Sequence, residues 1–194
     1  MINEDRDDYV KSWAEVRFIK GVRGALKQIH QAGIPVVVIT NQAAVGRRII
    51  GEADLLDIHT RMQRAVKKAG GSILKFYYCP HHPDDRCRCR KPRSGLLKRA
   101  GRELHLDLSQ CIFVGDTLRD IQAGKRAGCR TLLVKTGQGE TTLQKILTGQ
   151  TMIRPDWVCR DLTAATPLLL NFYGQIAGPA NAPYSSTKAT RIIK

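Results

Sequence analysis

The chain is short of aromatic residues and of acids. Phe, Trp and Tyr make up only 6% of its 194 residues, and 17 Asp and Glu stand against 32 Lys and Arg, a formal charge of +15. A surplus of that sign draws anions in general. A binding surface for single-stranded nucleic acid needs stacking rings between its cations, and none interleave the basic residues here. Arg61, Arg64, Lys67 and Lys68 fall on an expected helix face and read as solvated, so a nucleic-acid partner is not expected. No apolar run approaches the roughly 20 residues that cross a bilayer, no hydrophobic leader opens the chain, and no internal repeat is visible. These absences favour a cytoplasmic monomer without a membrane partner. What is present, a 42% hydrophobic fraction, suffices for one sizeable core. The expectation is a single domain over 1–173 and a disordered basic tail over 174–194, where Gly, Pro, Asn, Ser and Lys replace apolar residues.

Helical and strand periodicities alternate along the chain. Val22, Leu26 and Ile29 recur at helical spacing before Gly33, and Pro35 to Thr40 is a nearly continuous apolar run, the pattern of a strand covered on both faces. A helix from about Glu52 to Ala69 carries Leu55, Ile58, Met62, Ala65 and Val66 on one stripe, and a strand follows from Ile73 to Tyr78. Ser94 is placed to cap a helix holding Leu96, Leu97, Ala100 and Leu104. Cys111 to Val114 reads as a strand, Asp120 to Ala127 as a helix, Arg130 to Val134 as a strand, and Trp157-Val158 and Asp161 to Leu170 as a last strand and helix. Such alternation predicts an α/β fold with a parallel, Rossmann-like sheet, helices on both faces and ligands at the carboxyl ends of the strands.

Two groups of residues carry chemistry. The first is Cys79-Pro80-His81-His82, followed by Cys87-Arg88-Cys89. Three thiols and an imidazole suit Zn²⁺ and not the oxygen-loving Mg²⁺ or Ca²⁺, and four protein ligands leave no open coordination position. Cys79, His81, Cys87 and Cys89 are therefore the expected ligands of a structural zinc, with His82 an alternative to His81 on spacing alone. Cys111 and Cys129 lie beside apolar segments, where a free thiol packs as a small hydrophobe. The second group sits at strand ends: Thr40-Asn41, Arg90-Lys91-Pro92, and Val114-Gly115-Asp116 followed by Asp120. Taken singly, these are a cap, a solvated pair and a turn. Together they supply what phosphoryl transfer requires: a hydroxyl and amides for phosphate oxygens, a lysine for developing charge and a carboxylate for Mg²⁺.

With Ile2-Asn3-Glu4, Thr40-Asn41-Gln42, Cys79-Pro80-His81 through Cys89-Arg90-Lys91-Pro92, and Val114 through Gly128 in this order, the chain resembles the haloacid dehalogenase (HAD) superfamily. Within it, the likeness is to the branch of heptose bisphosphate and histidinol phosphatases. The resemblance implies a HAD-like fold and a Mg²⁺-dependent phosphatase of a small phosphorylated sugar. Thr40, Asn41 and Gln42 would then hold the transferring phosphate, Lys91 would stabilise it and Arg90 would contact substrate. Asp116, with the backbone of Thr117, would hold Mg²⁺, and Asp120 would position the metal site or the lysine. The same family places a structural zinc at the four ligands named above.

The resemblance also implies a strand ending in Asp-x-Asp-Gly immediately before Ile2-Asn3, whose first aspartate is the nucleophile and whose second is the general acid/base. Asp5, Asp7 and Asp8 lack an apolar strand before them and read as loop residues. About five buried apolar side chains of such a strand amount to roughly 8 to 15 kcal/mol, as much as the net stability of a whole domain. The chain as written is accordingly expected to fold poorly and to lack turnover, and the reading frame upstream of Met1 is expected to encode the strand. The alternatives are a non-catalytic, zinc-stabilised phosphate-binding module, a histidinol-phosphate phosphatase and a nucleic-acid 3'-phosphatase. The heptose substrate is preferred because no second domain for histidine biosynthesis is seen.

Overall fold

The computed structural model describes residues 2–6 and 8–177. Its elements run in the order α1 (Val22–Gln31), β1 (Val37–Asn41), α2 (Ala43–Gly46), α3 (Glu52–Lys68), β2 (Lys75–Cys79), α4 (Gly95–Glu103), β3 (Ile112–Gly115), α5 (Leu118–Ala127), β4 (Arg130–Val134), α6 (Gly139–Leu147), β5 (Trp157–Cys159) and α7 (Leu162–Ala177). Every strand pairing is parallel. β1 lies on β2 with Thr40 opposite Tyr78, β3 on β4 with Val114 opposite Leu132, and β4 on β5 with Leu133 opposite Val158. Strands covered by helices on both faces read as apolar runs, and the residues of β3 are all buried.

Alternation along the strands separates the two largest clusters of the core. Val36 and Val38 share one cluster with Ile112, Val114, Leu132 and Val134 beneath α1 and α7. Val37 and Ile39 share the other with Phe113, Leu96, Leu97 and Ala123 beneath α4 and α5. β1 and β3 thus occupy the same layer, yet no ladder joins them among the described residues: β1 and β2 form one sheet, and β3, β4 and β5 another. The layer is split between β1 and β3, and a hollow opens at the carboxyl ends of both strands.

Several elements, the one-turn α2 among them, differ from the sequence reading. Gly174 was expected to begin the tail, but α7 continues through it to Ala177. Tyr173 anchors this last turn: it is buried and its hydroxyl accepts a hydrogen bond from the Ile112 amide at 2.8 Å. Residues 178–194 lie outside the described residues. Helix α6 has no counterpart in the sequence reading. Ser94 does stand at the N-cap position of α4, but its side chain makes no capping hydrogen bond.

Candidate active site

The hollow is a cleft of about 520 Å³ whose wall includes Thr40, Asn41, Gln42, Arg90, Lys91, Asp116, Thr117 and Asp120. Residues from the ends of β1 and β3, from the loop after β2 and from the start of α5 therefore converge on one hollow. β1 delivers Thr40 and Asn41. The side chain of Asn41 is a two-way clamp on the Lys91 backbone, its Nδ2 donating to the Lys91 carbonyl at 3.2 Å and its Oδ1 accepting from the Lys91 amide at 3.1 Å. Gln42 Nε2 donates to Thr40 Oγ1 at 3.2 Å, holding that hydroxyl at the mouth.

Lys91 is fixed at both ends. Its side chain is 3% exposed; Nζ donates to the Ile39 carbonyl at 2.8 Å and pairs with Asp120 Oδ1 at 2.8 Å. A buried ammonium is tolerated only where its charge and its protons find partners. Asp120, 1% exposed, has a second duty. Its Oδ2 accepts from the Thr117 hydroxyl at 2.7 Å and the Thr117 amide at 3.0 Å, and Thr117 Oγ1 accepts from the Asp120 amide at 3.3 Å. This reciprocal pair is a capping box at the start of α5, which satisfies amides a helix start leaves open. One carboxylate thus ties helix α5 to the lysine.

Asp116 closes β3 and is buried. Thr142 on α6 donates its hydroxyl to the Asp116 carbonyl at 3.0 Å. Gly137 passes directly over the Asp116 carboxylate with a positive φ of 56°, and a methyl there would overlap Oδ2. A side chain at that position would be strained by its backbone and would fill the space beside the carboxylate. A carboxylate oxygen lining a cleft suits a hard divalent cation, which takes oxygen ligands.

The cysteine cluster adjoins the hollow. The ligand atoms of Cys79, His81, Cys87 and Cys89 all lie within 4.8 Å of one another. Sulfur pairs stand 3.3 to 3.5 Å apart, and His81 Nδ1 is 3.5 Å from Cys79 Sγ and 3.2 Å from Cys89 Sγ. This is the compact four-donor set of a tetrahedral site. Burial, then the neighbouring thiols of Cys79 and Cys87, push Cys89 up to about 12; three crowded thiols cannot ionise together without a cation among them. The structure also separates the two histidines. His82 accepts from the Asp84 amide through Nδ1 at 3.3 Å, as the cap of a short turn over Pro83–Asp85, and is not in the cluster. α2 packs so closely on this loop that a methyl at Gly46 would overlap the backbone of Pro80 and His82.

Several wall residues were not singled out from sequence. Asp5, set aside above as a loop residue, stands at the rim and accepts a hydrogen bond from Gln138 Nε2 at 3.4 Å. Arg119 lines the mouth. His59 on α3 is buried against the Phe76 ring, 4.2 Å between centroids, and burial pushes its imidazole down to about 4. The sequence reading left His59 off the apolar stripe of α3; its position four residues after Leu55 and three before Met62 is the signal that could have found it.

The comparison with known proteins agrees with this geometry. A HAD-hydrolase-like family profile matches residues 88–165. A D-glycero-β-D-manno-heptose-1,7-bisphosphate 7-phosphatase of Pseudomonas aeruginosa is 41% identical over 156 residues, covering 80% of this chain and 88% of that protein. The chain belongs to the HAD-like hydrolases. Another relative of this hydrolase, a D-glycero-β-D-manno-heptose-1,7-bisphosphate 7-phosphatase from Bordetella bronchiseptica, is 40% identical over 170 residues, covering 88% of this chain and 93% of the relative. A crystal structure of D,D-heptose 1,7-bisphosphate phosphatase from that organism, complexed with magnesium and phosphate, matches with a TM-score of 0.82 at 39% identity, over 88% of this chain and 93% of that one. The D,D-heptose 1,7-bisphosphate phosphatase of Burkholderia thailandensis matches with a TM-score of 0.64 at 30% identity, over 86% and 95% of the two chains.

Proposed function

We propose that this hydrolase is built to remove the 7-phosphate of D-glycero-β-D-manno-heptose 1,7-bisphosphate in a Mg²⁺-dependent reaction. The carrying observation is the convergence of Thr40, Asn41, a buried Lys91 pinned by Asp120, and Asp116 on one hollow. Thr40 and the amides after it bind phosphoryl oxygens. Lys91 offsets the charge that grows on them, and because Ile39 and Asp120 already fix its Nζ, little reorganisation accompanies the reaction. Asp116 and the backbone of Thr117 hold Mg²⁺, which neutralises phosphoryl charge when bound. Arg90 orients the sugar phosphate from the loop that Cys79, His81, Cys87 and Cys89 brace around a structural Zn²⁺, so that ion acts on the reaction only by placing Arg90 and Lys91. The names of the relatives favour the heptose substrate over histidinol phosphate.

In-line attack on phosphorus requires a nucleophile opposite the leaving oxygen, which the family resemblance makes an aspartate. The Asp-x-Asp-Gly sequence that the family resemblance implies occurs nowhere in the 194 residues. Asp120 is committed to Lys91 and Thr117, and Asp5 and Asp8 are exposed. The split between β1 and β3 is where an added parallel strand would gain a ladder on each side and bring its carboxyl end to the hollow. In that arrangement the first aspartate attacks phosphorus, the bond to the sugar oxygen breaks, and the second aspartate protonates that oxygen; water then cleaves the aspartyl-phosphate. The reading is tested by phosphate release from the heptose bisphosphate, with and without such a strand joined before Ile2. Thiols kept for zinc, with Cys111, Cys129 and Cys159 as unbridged thiols, suit a reducing compartment such as the cytoplasm; no helix among the described residues is long and apolar enough to cross a membrane.

A further inference from the structure

We infer that Arg93 is a positioning residue that shapes the zinc loop and couples it to Lys91. The inference rests on the structural-zinc reading and adds the side chain through which the ion and the lysine act on each other.

Cys87, Arg88 and Cys89 carry two of the four donors on a stretch with little order of its own. Among the described residues, no backbone–backbone hydrogen bond begins or ends on these three. The chain enters them through Arg86, which holds a left-handed φ of 48°. That conformation is costly for a residue with a side chain and persists only where its surroundings impose it. Arg93 imposes it. Its Nη1 donates to the Arg86 carbonyl and, at 2.7 Å, to the Cys87 carbonyl, so one guanidinium spans the residue that turns the chain and the ligand that follows. Gly95 presses on the same stretch from the start of α4, where a methyl would overlap the Arg88 carbonyl.

The base from which Arg93 reaches is fixed. Its amide donates to the Arg90 carbonyl at 2.9 Å, Arg126 Nη1 donates to the Pro92 carbonyl at 2.9 Å, and Asn41 clamps the Lys91 backbone. The turn over residues 90–93 therefore serves two ends: Lys91 pairs with Asp120 in the hollow, while Arg93 reaches back to the zinc loop. The amides of Cys89 and Arg90 also approach the Cys87 sulfur. Groups that orient a ligand matter to a metal nearly as much as the ligand does. A metal that draws Cys87 into place tightens this turn, and by the reciprocity of coupled equilibria an ordered turn favours the metal.

Charge offers a rival account. Three thiolates around one dication carry a net negative charge, which any nearby cation favours. Arg88 and Arg93 are both exposed beside the cluster and share that effect; of the two, Arg93 is the one bonded to carbonyls of the loop.

Zinc affinity of the full 194-residue chain, measured by competition with a chromophoric chelator, and hydrogen exchange at the Lys91 amide in saturating zinc test this without turnover. Arg93→Gln should weaken zinc binding by about 10- to 100-fold, the usual effect of losing a group that orients a ligand, and should leave Lys91 exchanging faster even when zinc is saturating. Arg93→Lys should recover only part of the loss, since charge remains without the reach and shape of the guanidinium. Arg88→Gln removes the same charge and should change the affinity by less than about fivefold, the size of an exposed charge effect. Far-UV circular dichroism equal to the native spectrum in zinc ties each change to the loop, and should Arg93→Gln fail to fold, Arg93→Lys against Arg88→Gln carries the comparison. Zinc affinity equal in the native and Arg93→Gln chains, equal losses for Arg93→Gln and Arg88→Gln, or unchanged exchange at Lys91 overturns the assignment. A native chain that takes up no zinc overturns the zinc reading itself.

Discussion

Replacing Lys91 by Met separates the two roles of the buried lysine. Lys91 and Asp120 side chains are 3% and 1% exposed and their charged atoms are 2.8 Å apart, so the substitution leaves a carboxylate in the interior without the cation opposite it. Breaking a buried pair from one side costs about 3 to 5 kcal/mol, against roughly 5 to 15 kcal/mol of net stability for a whole domain. For a chain of this size each kcal/mol moves the melting temperature by about 2 to 4 °C, which gives a fall of about 6 to 20 °C. Asp120→Asn added to Lys91→Met removes the stranded charge while leaving an acceptor for the Thr117 hydroxyl, so the double variant should be more stable than Lys91→Met alone. Urea unfolding followed by circular dichroism, with equal slopes as the check on two-state behaviour, measures both. A Lys91→Met chain within about 1 kcal/mol of the native one, or a double variant no more stable than the single, would refute the argument that Asp120 is held charged by Lys91.

Cys87→Ser removes one of four donors, so zinc content by mass spectrometry should drop from about one per chain to near zero, with Arg90 and Lys91 losing protection from hydrogen exchange; full zinc retention contradicts the ligand set. His59 carries a pH signature. Its folded value of about 4 lies below its ordinary 6.5, so as pH falls the unfolded chain takes up the proton first. The stabilisation present above pH 6.5 is lost between 6.5 and about 4, and amounts to about 3 kcal/mol over that window. His59→Phe should flatten this part of the stability curve, and identical pH slopes for the two chains would show that His59 is not the buried neutral group.

Much of the fold is legible in the sequence because apolar periodicity and burial coincide. Arg130–Val134 is read as a strand to the residue, and the stripe of Leu55, Ile58, Met62 and Val66 is the buried face of α3. α6 was not legible: its buried positions are Gly139, Thr142 and Ile146, of which one alone is a large apolar residue, so no apolar period emerges. Gly174 reads as a stop, yet the burial of Tyr173 and its bond to Ile112 carry the helix past it. The site followed a similar rule. Residues in contiguous motifs, Asn41 and Asp116 at strand ends and Lys91 on the loop after β2, were singled out and do line one hollow. His59 and Gln138 reach the hollow through packing between distant segments, which no local pattern encodes, whereas Arg119 lay inside the Val114 to Gly128 motif without an assigned role. Between His81 and His82, spacing left both open, and a backbone hydrogen bond decided.

The central claim is that this hollow is a phosphoryl-transfer site completed by a strand between β1 and β3. Phosphate release from D-glycero-β-D-manno-heptose 1,7-bisphosphate, measured for the 194-residue chain and for the same chain with an apolar strand ending in Asp-x-Asp-Gly joined before Ile2, tests it most directly. The account predicts Mg²⁺-dependent release by the extended chain, abolished by Asp116→Asn, and none by the shorter one. Turnover by the 194-residue chain, or a folded extended chain that releases no phosphate in Mg²⁺, would contradict it.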